Sequence, residues 1–201
     1  MKFPRFNLAN RVTLLRLVIA LVSFGVLLVL QEGWVAIENR RFIAWIGIVF
    51  FVAATASDAL DGYLARRDNS VTAFGRIADP FVDKAIVCGS LIFLQSIEES
   101  AVFLRPWMVS VIIVREFLVN GIRGYMESVG ISFAAEMPGK IKMVIQSVSI
   151  GFLMGLIAIK PNPSWLIAGN HLLIWGTMFL TVYSGTLYVV KAAGHLGQRD
   201  I

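Results

Sequence analysis

Residues 57–84 read SDALDGYLARRDNSVTAFGRIADPFVDK. Asp58, Asp61, Asp68, Asp79 and Asp83 fall in this stretch, and the sequence on either side of it is largely apolar. Taken as a helix reaching about Arg66, the first half sets Asp61, Gly62 and Ala65 about 60°, 40° and 20° from Asp58 around the axis. Those four share one stripe. A second helix beginning near Gly75 sets Gly75, Asp79 and Asp83 in an i, i+4, i+8 row. The loop from Arg67 to Phe74 is short enough to fold the two helices into an antiparallel hairpin whose carboxylate stripes confront one another. Asp68 falls in that connection, outside both stripes.

Four carboxylates in one small volume repel strongly unless cations compensate them, and divalent metal is the simplest compensation. All-oxygen ligation suits a hard ion, Mg²⁺ or Mn²⁺, and four carboxylates are enough to bridge two ions. With neither His nor Cys in the cluster, zinc is disfavoured. The plainer reading makes the aspartates helix caps or partners of Arg66, Arg67, Arg76 and Lys84; four of them on matched faces favour the metal. Gly62 and Ala65 remove bulk beside Asp58 and Asp61, so a flat group or a backbone can approach. Arg66, one position on, offers a phosphate a bidentate fork. Carboxylates for metal, an arginine and a cleared surface together describe a diphosphate site.

Outward from this stretch the chain reads as membrane protein. Of 201 residues 57% are hydrophobic and 15% charged, with a mean hydropathy of +0.75, far from an ordinary soluble domain. Apolar runs of roughly 18 residues or more can cross a hydrocarbon core as helix. Six candidates stand out at residues 12–30, 42–65, 77–94, 107–125, 141–159 and 165–190. Short connections imply one bundle and a single domain over residues 1–201. The opening KFPRFNLANRVTLLR looks like an interfacial lead-in, with Asn7 or Asn10 as cap. The first run is too long for a cleaved signal peptide.

Arginine and lysine give the orientation. With a cytoplasmic N-terminus, fourteen lie at cytoplasmic ends and loops, against Arg40, Arg41, Arg105 and Lys160 on the other side. The chain is therefore expected to be a multi-pass protein of the cell (inner) membrane, with the aspartate stretch and both termini facing the cytoplasm. A net charge of +5 points to lipid head groups or an anionic substrate at that face, not to nucleic acid. Cys88, the one cysteine, reads as a small buried apolar residue. Trp34, Trp45, Trp107 and Trp165 fall near outer ends as membrane anchors. His171 and His195 carry no ligand role in this reading.

The spacing Asp58-x2-Asp61-Gly62-x2-Ala65-Arg66-x8-Gly75-x3-Asp79-x3-Asp83 resembles the signature of the CDP-alcohol phosphotransferases, membrane enzymes of phospholipid synthesis, at every fixed position. The six-helix reading agrees with that family's fold. VREFLVNGIR at 114–123 and GKIKMVIQ at 139–146 resemble the REFxVxGLR and GKxKTxxQ segments of the bacterial phosphatidylglycerophosphate synthase branch, with Ile122 and Met143 in place of Leu and Thr. The opening NLANRVTLLR resembles its NLPNxLTxxR, with Ala9 in place of Pro.

This resemblance implies CDP-diacylglycerol as donor and sn-glycerol 3-phosphate as acceptor. It implies Asp58, Asp61, Asp79 and Asp83 as ligands of two Mg²⁺ or Mn²⁺ ions, with Asp83 also the catalytic base. Asn10, Thr13, Gly62, Ala65, Arg66 and Gly75 would contact the donor, and the assembly would be a homodimer. The acceptor's phosphate needs a cationic pocket of its own, and Arg115, Arg123, Lys140 and Lys142 are the candidates, with Arg123 and Lys140 preferred over Lys142 and snorkelling to lipid as the plain alternative. Arg115 and Arg123 are about 80° apart on a helix, so they need not share a ligand, and Glu116 can pair with either. Other acceptors compatible with the chemistry are serine, inositol phosphate and phosphatidylglycerol. A prenyltransferase would separate its two aspartate motifs into different halves of the chain. A divalent-cation transporter would continue its polar residues across the bilayer.

Overall fold

The computed structural model describes the backbone of residues 8–67, 73–131 and 136–196, with the side chains of residues 8–12, 58–67, 73–77, 79 and 196 outside the described set. Every element among the described residues is a helix: α1 (Leu8–Gln31), α2 (Ile37–Arg67), α3 (Ala73–Leu94), α4 (Glu98–Ala101), α5 (Pro106–Ser128), α6 (Met137–Ala158) and α7 (Ser164–Leu196). Each of the six apolar runs coincides with a long helix, to within one residue at Ile159.

Local chemistry sets the boundaries. Pro106 and Pro138 stand in the first turns of α5 and α6, where a missing N–H leaves no bond unmade. After α5 the chain turns through Gly130 at φ 80°, a left-handed conformation that a side chain would strain. Gly130 N–H then donates to Glu127 O at 3.1 Å and Ile131 N–H to Met126 O at 2.9 Å, the paired bonds of a Schellman stop.

Three sequence boundaries need correction. α1 begins at Leu8, so Asn10 lies inside it and does not cap it; Asn7 is outside the described residues. Glu38 to Arg41, outside the apolar run that begins at residue 42, form the first turn of α2. Arg40 explains this, because it donates to Leu30 O at 2.9 Å and to Glu99 at 3.3 Å, joining α2 to two other elements. The segment after α3, outside the six runs, contains the one-turn α4, stabilised by buried Ser100 donating to Leu94 O at 2.6 Å.

α1 packs on α2 and α3, α6 on α2 and α7, and α5 on α7. The main core gathers toward the α4 end of the bundle, where Leu30, Leu94, Ile97, Leu104 and Leu153 are at most 2% exposed. α1 and α3 approach closely at Gly89, where a Cβ would overlap the ring of Phe24. A smaller cluster of Val119, Met126, Tyr188 and Ala192 ties α5 to α7 at the other end.

The outer surface is apolar, with Leu15, Leu21, Val49, Leu172 and Phe179 more than half exposed. So are Trp34, Trp107 and Trp165, while Trp45 is 48% exposed. An apolar surface of this extent belongs in lipid. Among the described residues four helices are long and apolar enough to cross a membrane, over Thr13–Gln31, Ile37–Ser57, Met137–Ala158 and Ser164–His195. The other two long helices, α3 and α5, hold charged residues in mid-helix: Asp79, Asp83 and Lys84 on one, Arg115, Glu116 and Arg123 on the other. Cys88 is buried on α3, and His171 packs its ring edge against Phe103, 4.7 Å between centroids.

Candidate active site

Asp58, Asp61, Gly62, Ala65 and Arg66 fall in the last turns of α2, and Gly75, Asp79 and Asp83 in the first half of α3. The two helices touch. Of these residues, Asp83 alone has a described side chain. Pro80, between the two α3 aspartates, removes a backbone donor from the helix at that point.

Among the described residues Asp83 pairs with an arginine of α1. Its Oδ1 accepts from Arg16 Nη2 at 3.0 Å, across the α1–α3 seam. The arginine side chain is 1% exposed and the carboxylate 31%, so the cation is sealed behind and the anion reaches the surface. Thr13, one turn earlier on the same buried face of α1, is 3% exposed. Arg16 ends the opening NLANRVTLLR segment, and the sequence reading gave it no role beside Asp83.

Asp83 also stands in the wall of a cavity of about 510 Å³ between α3, α5, α6 and α7. Arg115, Arg123, Lys140 and Lys142 line the same cavity, together with Lys84, Glu116, Asn120, Gln146 and Tyr188. Arg115 and Arg123 thus face one space despite their angular separation, because the cavity wraps around α5. Among the described lining residues five cations meet two carboxylates, an excess of three positive charges in a partly desolvated space. An anion is the natural complement.

The cations are not equivalent. Glu116 accepts from Arg115 at 3.2 Å and from Lys142, so it pairs with Arg115 and not with Arg123. Lys142 is 3% exposed and Glu116 13%, which makes theirs a buried pair that needs both members. Arg115 is held further by Ser184, whose Oγ accepts at 2.7 Å, and its guanidinium lies 5.9 Å from the Tyr188 ring centroid. Gly185 makes room for it, since a Cβ there would come within 3.0 Å of Arg115 Cγ. Lys84 donates to Asn120 at 3.2 Å. Arg123 and Lys140 have no hydrogen-bond or ion-pair partner for their side chains among the described residues, and Arg123 Nε is buried.

Gln146 Nε2 is likewise buried and unpartnered. Tyr188 donates no signal in sequence; it joins the site by packing, and its hydroxyl accepts from Glu136 N–H at 3.1 Å at the start of α6. The donor chemistry fits a hard divalent ion: carboxylates on two touching helices, one of them open to solvent at Asp83, and no His or Cys among the cavity's described lining residues. Among the described residues no three acidic, His or Cys side chains form a metal cage, the other three carboxylates being outside that set.

An all-helical, apolar chain with paired aspartate helices beside a cationic cavity fits membrane transfer of a phosphorylated group. The chain belongs to the CDP-alcohol phosphatidyltransferase family, whose model matches residues 6–183. Relatives narrow the comparison. The CDP-diacylglycerol–glycerol-3-phosphate 3-phosphatidyltransferase of Bacillus subtilis is 37% identical over 192 residues, covering 92% of this chain and 95% of the relative. A probable phosphatidylglycerophosphate synthase of Mycobacterium tuberculosis is 33% identical, covering 95% of this chain and 84% of its own. The Salmonella paratyphi A protein with the same name as the Bacillus one is 29% identical over 96% of this chain and 98% of its own length.

Proposed function

We propose that this protein transfers the phosphatidyl group of CDP-diacylglycerol to sn-glycerol 3-phosphate, giving phosphatidylglycerophosphate and CMP. The observation that carries the reading is the cavity lined both by Asp83 and by Arg123 and Lys140, which have no side-chain partner among the described residues. A phosphorylated acceptor satisfies the excess charge. Serine, which carries no phosphate, does not. The names of the relatives support the same donor and acceptor.

The acceptor's phosphate binds Arg123 and Lys140, and its primary hydroxyl is presented to Asp83. That hydroxyl oxygen attacks the phosphatidyl phosphorus, the bond from phosphorus to the CMP oxygen breaks, and Asp83 takes the hydroxyl proton. Arg16 holds Asp83 in place from behind. Asn10, Thr13, Gly62, Ala65, Arg66 and Gly75 contact the donor, with Arg66 on its diphosphate. Asp58, Asp61, Asp79 and Asp83 would hold two Mg²⁺ or Mn²⁺ ions, which when bound neutralise the diphosphate and the charge on the departing CMP. Arg115 and Lys142 shape the pocket through Glu116 and Ser184.

Six long helices cross the cell (inner) membrane as one domain over residues 1–201, preceded by a short interfacial segment. The cavity and both termini face the cytoplasm, where the basic residues collect. The working unit is a homodimer, as the family resemblance implies.

The test is direct. Purified protein with CDP-diacylglycerol and Mg²⁺ or Mn²⁺ is offered labelled glycerol 3-phosphate, serine or inositol phosphate. Phosphatidylglycerophosphate is the expected product, lost on chelation and restored by either ion. Label entering lipid from serine or inositol phosphate alone would end the acceptor assignment.

A further inference from the structure

Gln146 is 1% exposed, lines the cavity, and keeps its Nε2 without a hydrogen-bond partner. An amide donor buried without a partner is costly. Placed in a cavity wall, it becomes a donor available to whatever enters.

Depth within the cavity says what that is. Gln146 lies nine residues into α6, and Asp83 lines the same cavity from α3. Lys140 lies only three residues into α6 and is exposed, and Arg123 is five residues from the end of α5. At 1.5 Å per residue, Gln146 is about 9 Å deeper along α6 than Lys140. The unpaired cations therefore form an upper layer suited to a phosphate. The neutral amide lies deeper, in the cavity that Asp83 also lines, where the carbon chain of an acceptor held by those cations would extend.

We infer that Gln146 is a specificity residue that donates a hydrogen bond to the middle hydroxyl of the acceptor. This rests on the glycerol phosphate reading given above. An amide can both donate to and accept from a hydroxyl, whereas a phosphate is better served by the charged layer above it. A site that buries a donor for a substrate hydroxyl penalises the analogue lacking it, because the donor then stays unpaired.

The experiment compares sn-glycerol 3-phosphate with 3-hydroxypropyl phosphate, which lacks only the middle hydroxyl. The unaltered protein should prefer the former by roughly 10–100-fold in kcat/KM. Gln146→Leu should erase that preference, lowering kcat/KM for glycerol 3-phosphate while leaving the analogue within about twofold. The unfolding midpoint should not fall, since no internal bond is removed, and inhibition by inorganic phosphate should be unchanged. Gln146→Met, of similar length, gives a second route should the leucine protein fold poorly. An equal fall for both acceptors, or no fall for either, overturns the inference. Failure of the unaltered protein to use glycerol 3-phosphate at all overturns it together with the acceptor reading, and shows before any substitution is made.

Discussion

The two ends of the bundle handle charge in opposite ways. At the α4 end one carboxylate serves two cations: Glu99 takes Arg40 at 3.3 Å and Lys160 at 3.7 Å, and Arg40 also donates to Leu30 O. Fully buried Leu30, Leu94, Ile97 and Leu104 lie alongside. At the cavity end the described lining residues give five cations and two carboxylates, and two of those cations have no partner among the described residues. One arrangement closes a seam between elements. The other leaves cations to spare among the described residues, beside the ion pairs Arg16–Asp83, Arg115–Glu116 and Lys142–Glu116.

That contrast can be broken by substitution. The largest effect is expected at Asp83: Asp83→Asn should lower turnover by roughly 10²–10⁴-fold, the range of a lost general base. Binding of CDP-diacylglycerol should largely survive, and near-normal turnover would remove Asp83 from the base role. Next is Glu116→Gln, which strands Lys142 as a buried unpaired cation and should lose about 3–5 kcal/mol in denaturant unfolding. If the loss is under 1 kcal/mol, the pair is not the buried support described.

Arg123→Ala should act on binding alone. The apparent KM for glycerol phosphate should rise roughly 10–100-fold, as removal of a charge-assisted contact implies, with the donor's KM little changed. Equal rises for both substrates would refute a dedicated acceptor pocket. Smallest is Glu99→Gln at the opposite end, where partly exposed pairs are worth up to about 1 kcal/mol each. It should lower the unfolding free energy modestly and leave both KM values alone. A change in acceptor KM there would erase the division between the two ends.

How much of this was legible in the sequence depends on range. Helices declare themselves in runs of apolar residues, and the six runs coincide with six long helices because burial in lipid or core asks for the same composition. The aspartates could be assigned to two neighbouring helices from spacing alone, since i, i+3, i+4 geometry is local. The ends of α1 and α2 were not legible: Arg40 looks like a loop residue until its partners Leu30 and Glu99 are known. Nor was the Arg16–Asp83 pair, whose members are 67 residues apart, or the contribution of Tyr188 to the cavity. In the structure Lys142 pairs with Glu116, 26 residues away, and a single sequence gives no reason why Glu116 chooses it.

Gly89 has a bearing on Asp83 although it carries no polar side chain. It lies on α3 six residues beyond Asp83, and Phe24 lies on α1 eight residues beyond Arg16. The flat ring resting on bare backbone sets how near the two helices run, and so the gap that one arginine must bridge to reach its aspartate. Replacing a single hydrogen of Gly89 by methyl wedges that gap open. The Asp83 carboxylate is then adjustable from within the apolar body of the bundle, by a spacer with no charge and no polar side chain.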